Sequence, residues 1–180
     1  MGTAGGALAQ ALLCVLSLGC AHRARQVTAG PAAGFLLQAV GAASDAVGTA
    51  WPWGAAPDPL PGSWVSAVLA QPMVAFGFHR LSGDRATANL QLAAAALVAA
   101  VAAGLGSEGR AMAAHGVAAL TAGSVLALAA LTASGPAALA AGLVALGELV
   151  PPAGLPWARG AASLALLWAL QHQRLGLGHQ

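Results

Sequence analysis

The sequence predicts an all-α fold, a polytopic transmembrane bundle of six to seven short helices rich in Ala and Gly, and three observations carry that expectation. Of the 180 residues, 58% are hydrophobic and only 7% are charged, against about 25% charged in soluble domains. The mean hydropathy is +0.76. Turn-forming or charged clusters divide the apolar sequence into segments near the length of a membrane-crossing helix, which needs roughly 20 residues to span about 30 Å.

Seven such segments follow in order: 4–21, 27–50, 63–78, 86–106, 111–133, 134–150 and 156–172. The first ends at the arginine-rich AHRARQ, and the second at the Pro- and Trp-rich WPWGAAPDPLPG. HRLSGDRATAN closes the third, GSEGR the fourth, SGP the fifth and PPAGLP the sixth. Each cluster is rich in turn formers or charge. The sixth segment meets Glu148 and the seventh carries Arg159 near its start, so six spans is the alternative. Nothing of domain size lies between the segments, so residues 1–180 read as a single integral membrane domain. Ala inserts less favourably than Leu or Phe, so these helices must rely on packing against one another.

The seven basic residues are all Arg, the net charge is +2, and no Tyr is present. Nucleic-acid binding is excluded, because it needs a clustered basic face. With the N-terminus outside, Arg23, Arg25, Arg80, Arg85 and Arg174 fall on the cytosolic side and only Arg110 and Arg159 outside, which satisfies the positive-inside bias. A cleaved signal peptide over 1–21 is the competing reading, since Gly19-Cys20-Ala21 has small residues at a cleavage spacing. It lacks a positive n-region, and it would invert every later loop.

Modification signals are sparse. Gly2 suits myristoylation, but Gly6 stands where Ser or Thr is needed. Cys14 and Cys20 lie about 9 Å apart along one helix, too far for a disulfide. Cys20 beside AHRAR is a candidate for S-palmitoylation; the plainer reading, a small apolar residue at a helix end, is favoured. Asn89 is followed by Leu90 and Gln91, so it forms no glycosylation acceptor.

Four ionisable residues, Asp45, His115, Glu148 and Arg159, fall toward the outer ends of their segments. Charges in or beside a bilayer are costly and so raise a functional question by default. Glu148 and Arg159 flank PPAGLP and are expected to pair, with Asp45 and His115 nearby. They suggest a polar cavity for a small ligand or for protons, weighed against snorkelling and salt bridging among the headgroups, which is favoured. At the cytosolic end, with His179 in the tail, the three imidazoles of His22, His79 and His172 could hold zinc and activate water. No HExxH, GxSxG or Cys-His spacing supports that. No cofactor or metal is therefore expected. Ser82 and Asp84, near His79, read as turn residues and a helix N-terminus.

Gly104, Gly106 and Gly109 spell a dinucleotide fingerprint, but an apolar helix precedes them where a strand is required, so they read as a tight turn. Small residues four apart occur at Ala96, Ala100 and Gly104, at Ala119, Gly123 and Ala127, and at Ala138 and Gly142. That spacing permits close helix packing.

At ALLCVLSL (11–18), VTAGPAAGFLLQA (27–39), FHRLSGDRATANL (78–90) and GSEGR (106–110), the chain resembles the transmembrane protein 276 family of vertebrate multi-pass proteins. The resemblance covers most of the length. It implies a membrane location and carries no catalytic residue, cofactor or substrate across; FHRLSGDRATANL becomes the cytosolic turn most worth testing.

Three function classes follow, in order. The first is an accessory or scaffold subunit whose small-residue helix faces pack on other membrane proteins within the lipid bilayer. The second is a small transporter or channel using the outer polar cluster. The third is a lipid hydrolase using the cytosolic histidines. No nucleophile–base spacing is present, so enzymatic activity is not expected. The short spans suit the thinner endoplasmic reticulum membrane.

Overall fold

The computed structural model describes residues 3–50, 61–150 and 154–177. The separator at 51–60, Gly2, much of PPAGLP and His179 lie outside them. Seven helices and no strand occur among the described residues: α1 (Thr3–Ala24), α2 (Ala29–Ala50), α3 (Pro61–Leu81), α4 (Arg85–Ala102), α5 (Ser107–Leu131), α6 (Gly135–Gly147) and α7 (Leu155–Leu177). Each falls on one of the seven apolar segments. Three of them, Ala4–Ala24, α4 and α5, are long and apolar enough to cross a membrane. With 13 residues, α6 reaches about 20 Å, well short of a hydrocarbon core of about 30 Å.

The turns were readable because their residues leave the chain little choice. Gly83 adopts a positive φ of 83°, which costs Gly nothing, and Asp84 caps α4 by accepting from the Thr87 amide at 3.0 Å. Gly106, in the candidate dinucleotide fingerprint, is the extended residue that precedes α5. It belongs to a helix–helix turn.

Contacts between elements order the bundle. Six helices form a closed circuit, α1–α2–α3–α5–α6–α7, with α7 returning to α1 and α3 also touching α7. Helix α4 stands outside this circuit, packed on α3 and α5. The main apolar core, with Phe35, Phe78 and Leu170 fully buried and Val125, Ala140 and Ala169 around them, lies within the circuit.

The tightest helix contact joins α2 to α3. A Cβ on Gly34 would lie 2.5 Å from the Ala70 carbonyl oxygen, one on Gly30 2.7 Å from the Phe76 ring, and one on Gly77 2.1 Å from Pro31 Cγ. Gly30 and Gly34 are four apart, so this is the GxxxG spacing that lets helix backbones approach. The rows singled out in the sequence mostly face elsewhere, although Ala138 is partly buried against the main core. Ala96, Ala100, Gly104, Ala119, Gly123, Ala127 and Gly142 are exposed, and nothing lies within 4 Å of a Cβ placed on Gly123 or Gly142.

Candidate functional site

One cavity of about 250 Å³ opens into the bundle, and all six helices of the circuit contribute to it. Asp45 comes from the last two turns of α2, His115 from α5, Glu148 from the end of α6 and Arg159 from the start of α7. The four ionisable residues that the sequence placed at one end of the bundle therefore surround a single space. Successive helices run antiparallel, as Gly30 against Phe76 and Gly34 against Ala70 show for α2 and α3, which brings the C-terminal ends of α2 and α6 beside the N-terminal ends of α3, α5 and α7.

The pairing inside this group differs from the expected one. Glu148 meets His115, with Nδ1 to Oε2 at 2.5 Å, rather than Arg159. The reason is positional. Glu148 is the C-cap of α6, where the carboxylate faces the negative end of the helix dipole, and the α5 ring is the donor that reaches it. His115 stands at the rim, its side chain 63% exposed, whereas Glu148 is 21% exposed.

Below the rim, uncharged polar side chains interrupt a mainly apolar lining, and sequence reasoning missed them. Gln10, Gln38, Ser66, Gln71 and Ser163 all border the cavity. Ser66 and Ser163 are buried. Gln38 Nε2 donates to Ser163 Oγ at 2.9 Å, and Ser163 lies 2.7 Å from the Arg159 carbonyl oxygen, so α2 and α7 are tied together directly beneath Arg159. Gln10 Oε1 and Gln71 Oε1 are buried with no hydrogen-bond partner among the described residues. The signal was present: uncharged polar side chains in apolar helices are expensive to bury without partners. Gln71, Val144 and Leu166 continue into a narrower, mainly apolar void beside Thr121, and Leu13 and Ala118 complete the apolar wall above.

At the opposite end the histidines of the described residues stand apart from one another. His79 is 4% exposed and neither ring nitrogen has a hydrogen-bond partner among the described residues; its Nδ1 is 4.0 Å from Asp84. His22 is exposed, and His172 is exposed and packs edge-on against Trp168. No group of three or more His, Cys, Asp and Glu able to hold a metal occurs among the described residues. Ser82 is a turn residue, held by Gln173 Nε2 at 2.7 Å. The Asp84 carboxyl, in the turn outside the spans, is held below its ordinary value first by the hydrogen bond from Thr87. Cys20 is 2% exposed within the apolar core, so acylation of its thiol would require α1 to separate from its neighbours. Both cysteines are free.

Comparison with known proteins adds a location. The chain is 40% identical to human transmembrane protein 276 over 108 residues, 59% of this chain and 54% of that protein. It is 40% identical to the bovine protein of that name and 38% to the rat protein, each over 111 residues, 62% of this chain and 56% of theirs. The chain is a membrane protein. The match spans about half the length of these relatives. No family model matches the chain, and no solved structure matches it.

Proposed function

We propose that the chain binds a small polar solute in the cavity between α1, α2, α3, α5, α6 and α7, as a transporter or solute-binding membrane protein does. The observation that supports this reading is convergence: six helices direct two carboxylates, a guanidinium, an imidazole and several amides and hydroxyls at one space. Headgroup-level snorkelling would spread such groups over the outside of the bundle. Convergent polar groups in a concave site are the usual mark of ligand binding.

The experiment is a thermal-unfolding screen of the purified chain with small ammonium, carboxylate and zwitterionic solutes, repeated with Ala67→Leu, which narrows the cavity. At least one solute should raise the melting temperature of the wild type by several degrees and that of Ala67→Leu by much less. No shift with any class, or equal shifts in both proteins, would overturn the proposal.

A second reading, the accessory subunit, draws on the outward-facing small-residue rows of α4 and α5, which are free to pack on another helix. A stable co-purifying membrane protein, lost on Gly123→Leu or Ala100→Leu, is its test. The brevity of α6 and the 18 residues of α4 support residence in a thin membrane such as the endoplasmic reticulum.

A further inference from the structure

We propose that the solute is a small zwitterion, carrying an ammonium and an anionic group on one short frame; this rests on the solute-binding reading above. The signs of the lining charges lead there. Arg159 keeps its charge under all conditions a protein meets, while Asp45 and Glu148 border the same space. A simple anion would lie among carboxylates, and a simple cation beside a guanidinium. Such like-charge contacts cost more in a half-enclosed site than in water. A ligand with both charges places its anionic group on the planar fork of Arg159, which suits carboxylate and phosphate, and turns its ammonium toward the acidic side.

Hydrogen-bonding capacity points the same way. Gln10 and Gln71 line the cavity, and their Oε1 atoms, closed off and without a donor, become acceptors for a ligand once the amides turn toward the space. Buried polar atoms are almost always paired, and an ammonium supplies three donors and no acceptor. Ser163 does not compete for that role, being engaged with Gln38 and the Arg159 carbonyl. Size narrows the class. A cavity of about 250 Å³ holds several water molecules and has room for an amino acid or an ethanolamine phosphate group. Toward the other end, Phe35, Phe78 and Leu170 fill the bundle.

That chemistry has two sources, a free amino acid or the headgroup of an aminophospholipid. The test uses the full chain. In detergent, glycine, γ-aminobutyrate and phosphoethanolamine are compared with ethylammonium and propionate by calorimetry and thermal shift. In nanodiscs, phosphatidylethanolamine is compared with phosphatidylcholine. The zwitterions should bind at least tenfold more tightly than either single-charge probe. Arg159→Gln should remove that preference and admit ethylammonium, and Gln71→Leu should weaken zwitterion binding about tenfold. Gln10→Leu serves if Gln71→Leu does not fold. Binding of free amino acids identifies the soluble source; stabilisation by phosphatidylethanolamine alone identifies the lipid. Ethylammonium or propionate binding as tightly as the zwitterions would overturn this assignment and leave solute binding standing, whereas no binding by any probe or lipid would remove both.

Discussion

His115 Nδ1 lies 2.5 Å from Glu148 Oε2 and so joins the second half of the bundle, α5 to the end of α6, at the rim of the cavity. Because the ring is largely exposed, solvent screens the contact, and its worth is that of a surface pair. A double-mutant cycle of His115→Ala and Glu148→Gln, followed by denaturant unfolding in detergent, should give a coupling of about 0.5–1 kcal/mol. Strictly additive losses would show that the two side chains do not meet.

Glycines at the α2–α3 contact and on the outer face of α6 should respond in opposite directions. Gly34→Ala drives a methyl into the Ala70 carbonyl and the Val74 side chain, so the two backbones must separate, at a cost of about 1–3 kcal/mol. Gly142→Ala meets nothing within 4 Å and gains up to about 1 kcal/mol of helix propensity. Thermal unfolding of the two variants measures the difference, and a destabilised Gly142→Ala would contradict the packing described.

Asp84 gives the α3–α4 turn a pH dependence. Its folded-state value is depressed by hydrogen bonds from the Thr87 side chain and then the Thr87 amide, so the cap's contribution is complete above the ordinary carboxylate value and is lost as pH falls through the lower folded value. Hydrogen exchange at the Thr87 amide should therefore show reduced protection on acidification below about pH 4. In Asp84→Asn, which can still cap, protection should not change over the same range. Identical profiles in both proteins would rule out the carboxylate as the cause.

Orientation can be read with engineered glycosylation acceptors. One placed in the 103–106 turn, at the same end as the cavity, should be modified in microsomes, and one in the 82–85 turn should not. The reverse pattern would place the cavity on the cytosolic side.

What the sequence made visible follows from what punctuates it. AHRARQ, SGDR and SGP break helices through charge, Gly or Pro, and the structure breaks at or within a residue or two of each, whereas all of GSEGR but Gly106 lies inside the start of α5 and the break falls just before it, at 103–106. Asp45, His115, Glu148 and Arg159 could be assigned to one end because alternation of short-looped helices fixes which ends meet. The Glu148–His115 partnership could not, since residues 33 apart in sequence are paired by helix rotation, which a nearly all-apolar pattern does not encode. Gln10, Gln38 and Gln71 escaped notice for a related reason. They are uncharged and isolated within apolar segments, and only the folded circuit shows that they face one space. Gly30 and Gly34 were as visible as the other small-residue spacings, but in a chain with 24 Gly spacing alone does not separate an internal contact from an outer face.

The circuit of helices also sets an order of events at the ribosome. Helices α1, α2 and α3 are made first and can pair as they emerge, whereas α7, which bears Arg159 and Ser163 and returns to α1, is made after the other six. Until it docks, Gln38 has no serine to hold and the cavity has no guanidinium. Nascent chains arrested before residue 155 would expose the polar sides of α1, α2 and α3 to lipid, a state that a membrane chaperone or quality-control protease can recognise. Release from such surveillance would then report completion of the cavity itself.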